Sequence, residues 1–339
     1  LTSLYHTDIF TARQRMNDWG KSRVPFLFVI DYEMDHPIVI PLSEIDSADV
    51  RYDVNGISNS PKTEEPPPHL VFESYPITFS EYLRAFNLVQ YHLHAGDTYL
   101  LNLTFPTPII TNISTRQIFN AASAPYRLWL KDRFVVFSPE CFVRIENGII
   151  SSYPMKGTIA AHLPGAETQL MENAKEKAEH ATIVDLIRND LSMVSSEVRV
   201  TQFRYIEEIQ AHTGPLLQTS SHISGRLPDS YADTVGDILF RLLPAGSISG
   251  APKQKTIEVI RAAERQARGY YTGVFGVFDG ERLDSAVMIR FIEQTPSGLV
   301  FRSGGGITAN SIAEEEYAEL VQKVYLPLHQ FSPSAVVKK

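Results

Sequence analysis

From Tyr75 onward the chain alternates amphipathic stretches of helical period with apolar runs too short to be helices. That alternation restricts it to folds in which sheets are layered against helices. The clearest helix is expected over 78–94, where Phe79, Tyr82, Leu83, Phe86, Leu88 and Val89 form one apolar face. Strands are expected at 98–105, 126–131, 134–137 and 141–146, then a long helix at 167–189 and strands at 198–205 and 216–225. Helices at 231–242 and 252–265 precede strands at 275–278, 284–292 and 299–302, and a last helix spans 314–329 before a loose tail at 330–339. Ahead of this pattern lie a helical segment around 11–20 and the apolar strand 26–30. The stretch 56–69 holds four prolines and little to bury, so it reads as a linker. The expected organisation is a β-containing N-terminal segment (1–55), a Pro-rich linker (56–74) and a principal domain (75–330). The fold class is α/β, layered as in α+β proteins.

Composition removes several function classes. At 43% hydrophobic and 21% charged residues the chain is globular rather than disordered. A net charge of −8 argues against a nucleic-acid partner, which needs a basic stripe. A small anionic ligand is still admitted, because a few cationic groups in a pocket suffice. Cys141 is the single cysteine, so neither an intrachain disulfide nor a cysteine metal cluster is expected, and a cytoplasmic home fits. No apolar run reaches the roughly 18–20 residues that span a bilayer, so no membrane association is expected.

Two helices carry carboxylates three residues apart. Glu176 and Glu179 project from one face of the 167–189 helix, and Glu316 and Glu319 repeat the spacing on the last, with Lys323 one turn on. If the two faces met, their oxygens could ring a hard cation such as Mg²⁺. If they do not, they are ordinary solvated surface. The triplet Gly304–Gly306 and the segment PAGSISGAPK (244–253) are glycine-rich turns. Such turns admit an anion close to backbone amides, or simply reverse the chain. Arg290, inside an apolar run, needs an acidic partner: either an internal carboxylate or that of a ligand. Pro154 and Gly157 place Lys156 on a stiff turn, where a lysine is either solvated or held for chemistry.

Eight segments occur together in a family order: FSPE (137–140), PMKGT (154–158), KEKAEH with VDLIRND (175–190), PAGSISGAPK (244–253), RGYYTG (268–273), DSAVMIR (284–290), SGGGI (303–307) and EEEYAELVQK (314–323). In this they resemble the chorismate-utilising enzymes, which include anthranilate and aminodeoxychorismate synthase large subunits and isochorismate and salicylate synthases. The resemblance implies two antiparallel-rich sheets flanked by helices with the active site between them, and makes 75–330 the chorismate-binding domain. It implies Mg²⁺ on Glu176, Glu179, Glu316 and Glu319. It places Tyr271, Arg290, Gly304, Gly306 and Lys323 on the substrate carboxylates, with Gly157, Thr158, Gln218 and Ser247 nearby. Glu140 is the implied general acid for the departing C4 hydroxyl.

Within the family, a lysine before the Gly-Thr pair is similar to the aminodeoxychorismate synthase type, in which it attacks C2 of chorismate before ammonia adds at C4. Here that residue is Lys156, with an amine pKa expected to be lowered by desolvation. The water-adding members use a lysine at the position of Leu100, so hydroxylation is not expected. Two positions depart from the pattern. Leu100 stands where aminating members carry glutamine, and Gln218 stands where a histidine is usual, which leaves proton donation to Glu140. The short 1–55 segment gives no reason to expect a tryptophan site. Lacking a glutaminase-type cysteine, the chain is expected to take ammonia from a glutamine amidotransferase subunit.

Overall fold

A computed structural model describes residues 6–60, 70–211 and 214–326. The proline cluster at 61–69 and the tail from 327 lie outside these, including the expected end of the last helix. Why the apolar runs are continuous is answered by layering. Phe26, Phe28 and Ile30 face one hydrophobic cluster while Leu27 and Val29 face another, so every residue of Phe26–Ile30 is buried. The same division puts Phe134 and Val136 between the sheets and Val135 and Phe137 on the outer side. A strand covered on both faces needs no polar alternation.

Two nine-stranded antiparallel sheets result. The first runs Met155–Ala160, Gly214–Arg226, Ile149–Ser152, Cys141–Glu146, Leu283–Val287, Val274–Phe278, Phe26–Ile30 and Ile38–Pro41. Ser196–Ala211 lies along the free edge of Gly214–Arg226. The second runs Gly250–Ala251, Leu100–Thr111, Gly298–Ile307, Phe291–Thr295, Phe134–Ser138, Tyr126–Leu130, Val50–Val54 and Ile57–Ser58, with Phe72–Ser74 beside Leu100–Thr111. Residues 26–54 thus supply strands to both sheets. The helices Ile9–Lys21, Ala174–Ser192 and Val235–Leu242 cover the outside of the first sheet through Met16, Ile187 and Leu239. Phe79–His94, Lys253–Glu264 and Ala313–Gln322 cover the second through Tyr82, Ile260 and Leu320. Each fully buried large side chain contributes about 1.5–3 kcal/mol against its exposed state.

Four expectations change. The long helix is two, Ala166–Glu172 and Ala174–Ser192: Asn173 is extended, and its side chain accepts from the Glu176 N–H at 3.0 Å, starting a new helix. The expected strand 284–292 is also two, Leu283–Val287 and Phe291–Thr295, one in each sheet, and Arg290 makes the crossing with φ +54°. The glycine triplet is not a turn. It lies inside Gly298–Ile307, with Gly304, Gly305 and Gly306 paired with Thr104, Leu103 and Asn102. PMKGT is likewise a strand, Met155–Ala160, with a bulge between Lys156 and Thr158.

Candidate active site

The bulge decides where Lys156 points. Lys156 is opposite Thr219 and Thr158 opposite Gln218, so two residues advance on one strand for one on the other. Side chains that would share a face under strict alternation are sent to opposite faces. Gly157 at the bulge has φ +78°, and a Cβ there would stand 3.1 Å from Glu176 Oε2. Lys156 therefore faces the helix Ala174–Ser192, and its Nζ lies 2.6 Å from Glu179 Oε2.

Lys156 lines a cavity of about 160 Å³ where the two sheets and three helices meet. Glu140 enters from the end of Phe134–Ser138 and accepts a 2.6 Å hydrogen bond from Ser247 Oγ, at the start of the short helix Gly246–Ser249. Burial pushes the Glu140 carboxyl above the usual carboxylate range; the Ser247 bond, Arg290 and Lys323 pull against that. Gly250, with φ +124°, lets this segment pair with Leu101, since a Cβ would collide with the Leu100 carbonyl. Leu100 itself lines the cavity and offers no polar group.

On the opposite wall Gly304 and Gly306 face the cavity, and Gly305 faces the last helix. A Cβ on Gly305 would lie 3.5 Å from Glu316 Oε2, 3.8 Å from Glu319 Oε1 and 3.9 Å from Lys323 Nζ, so these three groups gather over the strand at this residue. Lys323 Nζ is 2.6 Å from Glu319 Oε1 and donates to the Gly304 carbonyl at 2.8 Å. Burial lowers the Lys323 pKa despite Glu319. Arg290 Nε is buried without a hydrogen-bond partner, and the guanidinium lies over the Tyr325 ring, 5.6 Å from its centroid. An unpaired buried cationic donor at a cavity wall is costly unless an anion completes it. Tyr271 lines the same wall, its hydroxyl pushed up to about 12 by burial.

Ten of the expected residues thus line one cavity: Glu140, Lys156, Glu179, Ser247, Tyr271, Arg290, Gly304, Gly306, Glu319 and Lys323. Glu176, Glu316 and Gly157 stand just outside its wall. Glu316 is buried and accepts from Ser311 Oγ at 2.7 Å. Thr158 and Gln218, on the other face of the bulged strand pair, do not line it. Gln218 is buried there with Nε2 unpartnered. The expected lowering of the Lys156 pKa is reversed. Burial does depress it, but Glu179, with Glu176 and Glu319 behind, holds the ammonium form and the net shift is upward.

Sequence reasoning missed the braces beneath the site. Lys253 pairs with Asp190 at 2.9 Å, tying Ala174–Ser192 to the segment that carries Ser247. Arg268 pairs with Glu264 at 2.7 Å and donates to the carbonyls of Asn102 and Ile248. His180, neutral with its pKa lowered to about 4 by burial and nearby Arg204 and Lys156, meets Ser221 Oγ at 2.6 Å.

The donor set fits a hard divalent cation: four carboxylates, one of them with a buried, unpartnered oxygen, Glu176 Oε2. As arranged, no three His, Cys, Asp or Glu side chains among the described residues stand close enough to hold one ion. Among the same residues no helix is long and apolar enough to cross a membrane.

A family model described as chorismate binding enzyme matches residues 24–329. An uncharacterised PabA-like protein of Haemophilus influenzae is 53% identical over 315 residues, covering 93% of this chain and 96% of the relative. Aminodeoxychorismate synthase component 1 of Salmonella typhimurium is 36% identical over 269 residues, 75% of this chain; the match spans 58% of that relative's length. Among solved structures, a putative 2,3-dihydroxybenzoate-specific isochorismate synthase of Bacillus anthracis shares the fold, with TM-score 0.71 at 18% identity over 95% of this chain and 89% of that one. The chain belongs to the family of chorismate-binding enzymes.

Proposed function

We propose that the chain is component I of an aminodeoxychorismate synthase, converting chorismate and ammonia to 4-amino-4-deoxychorismate and water for 4-aminobenzoate and folate synthesis. The observation that carries this reading is Lys156, an amine in the same cavity as Glu140 and flanked by carboxylates. Relatives named aminodeoxychorismate synthase component 1 support it at 31–36% identity. Arg290, Lys323 and Tyr271 grip the substrate carboxylates, and the strand amides of the glycine run form the wall beside them. Lys156, as the free amine once its ammonium proton has passed to solvent, attacks C2; both ring double bonds shift along the ring, and the C4 hydroxyl leaves as water with the proton of Glu140. Ammonia then adds at C4, both double bonds shift back as the C2–N bond to Lys156 breaks, and a proton from the new C4 ammonium restores Glu140. Glu176, Glu179, Glu316 and Glu319 would hold Mg²⁺, which supplies charge neutralisation for the bound carboxylate. Cys141 is buried with its thiol pushed up to about 12, so it is no glutaminase nucleophile, and ammonia comes from a glutamine amidotransferase subunit in the cytoplasm.

A second reading, anthranilate synthase component I, is favoured by relatives of that name, one 34% identical over 68% of this chain. Incubation with chorismate, Mg²⁺ and ammonium, followed by product identification, separates them. The expected product turns into 4-aminobenzoate only when a lyase is added, whereas anthranilate fluorescence without a lyase overturns the proposal.

A further inference from the structure

Both carboxylate pairs have an ammonium group on them. Lys323 Nζ on Glu319 has a second anchor in the Gly304 carbonyl. Lys156 Nζ on Glu179 has no other hydrogen-bond partner among the described residues. Beside it, Glu176 Oε2 is buried with none. We propose that Lys156 and the divalent cation compete for Glu179, so that cation binding expels Lys156 from its ion pair and turns its amine into the substrate cavity. The inference rests on the cation assignment made above and goes on to say how the nucleophile is released. Mg²⁺ takes carboxylate oxygens at about 2.0–2.1 Å, and the ammonium already stands 2.6 Å from the same oxygen. Two cations crowded onto one oxygen of a carboxylate only 10% exposed repel strongly. The ammonium with one anchor is the one that yields, and its side chain is 25% exposed toward the cavity, which gives it room to move. Lys323, held twice, stays. The arrangement would keep Lys156 unreactive until the metal that binds the substrate is in place.

The test is trace labelling of lysines in the wild-type protein with acetic anhydride at one fixed pH, read by peptide mass spectrometry with and without MgCl₂, beside calorimetric titration of Mg²⁺. Labelling of Lys156 is expected to rise about fivefold or more with Mg²⁺, the scale of breaking one partly exposed ion pair, while Lys323 changes less than about twofold. In Glu179→Gln, Lys156 should label readily without Mg²⁺ and respond little to it. Calorimetric binding with unchanged or reduced Lys156 labelling overturns the competition and leaves the cation assignment standing. Absence of binding heat overturns both.

Discussion

Ser247 Oγ donates a 2.6 Å hydrogen bond to Glu140 Oε1, and this bond opposes the burial that raises the Glu140 pKa. A hydrogen bond to a carboxylate favours its charged form, so removing it raises the pKa further. The proposed step needs Glu140 protonated, so its rate is full below the folded pKa and falls as pH rises through it. Ser247→Ala should therefore move the alkaline limb of the kcat profile to higher pH. Glu140→Gln should lose on the order of 10²–10⁴ in kcat with the chorismate KM little changed. An alkaline limb unmoved by Ser247→Ala would show that some other group titrates.

Lys156→Ala should cut formation of 4-amino-4-deoxychorismate by on the order of 10² or more, measured by chromatography of the products. Lys156→Arg keeps a cation for Glu179 but has no amine to attack C2, and should lose as much. Recovery of activity in the arginine variant would reduce Lys156 to a partner of Glu179.

Arg290 has a buried Nε without a hydrogen-bond partner, a donor that a ligand carboxylate would satisfy. Arg290→Lys removes the planar fork while keeping charge. The KM for chorismate should rise about 10- to 100-fold, in line with roughly 1.5–3 kcal/mol for a charged hydrogen bond, and kcat should fall less. A fall confined to kcat would place Arg290 away from the substrate carboxylate.

The layered architecture was legible because covered strands declare themselves: Phe26–Ile30 is apolar at every position, and so are residues 134–137. What escaped was chain direction. Nothing in DSAVMIRFI marks Arg290 as the point where a strand leaves one sheet and enters the other, because both halves are equally apolar. The split at Asn173 could have been read from an N-cap residue followed by Glu176 within the first turn. The missed helix Thr115–Ala121 carries a capping box of Ser114 and Gln117. At the site, residue types identified the wall of the cavity, but the bulge that turns Thr158 and Gln218 away from Lys156 depends on pairing between distant strands, which the order of residues does not display.

Cys141 is enclosed beside Asp284, and burial, reinforced by that carboxylate, pushes its thiol up to about 12 against the pull of Arg144 and Tyr126. At pH 8 almost no thiolate is present, and the thiolate is the reactive form. Native protein should react with a disulfide reagent at least about 10²-fold more slowly than the same protein in guanidinium, where the pKa returns to about 8.5. Fast native labelling would mean that the strand Cys141–Glu146 opens readily.

Arg268 and Glu264 form a buried bidentate pair, with Nη2 to Oε1 at 2.7 Å and Nε to Oε2 at 3.0 Å. The remaining donors of Arg268 reach the carbonyls of Ile248 and Asn102, and Glu264 Oε1 also accepts from the Thr104 N–H at 2.9 Å. The guanidinium lies 4.6 Å from the centroid of the Tyr32 ring. One pair thus joins a helix, a strand of the second sheet and the short helix that carries Ser247. Removing one partner leaves an uncompensated buried charge, so Arg268→Met should cost about 3–5 kcal/mol in urea unfolding. Replacing both, as Arg268→Met with Glu264→Met, should cost less than the sum of the single changes, with a coupling of about 0.5–3 kcal/mol. Strictly additive losses would mean that the two residues stabilise the braces independently. Because Ile248 also lines the cavity, the single variant should lower kcat even where it remains folded.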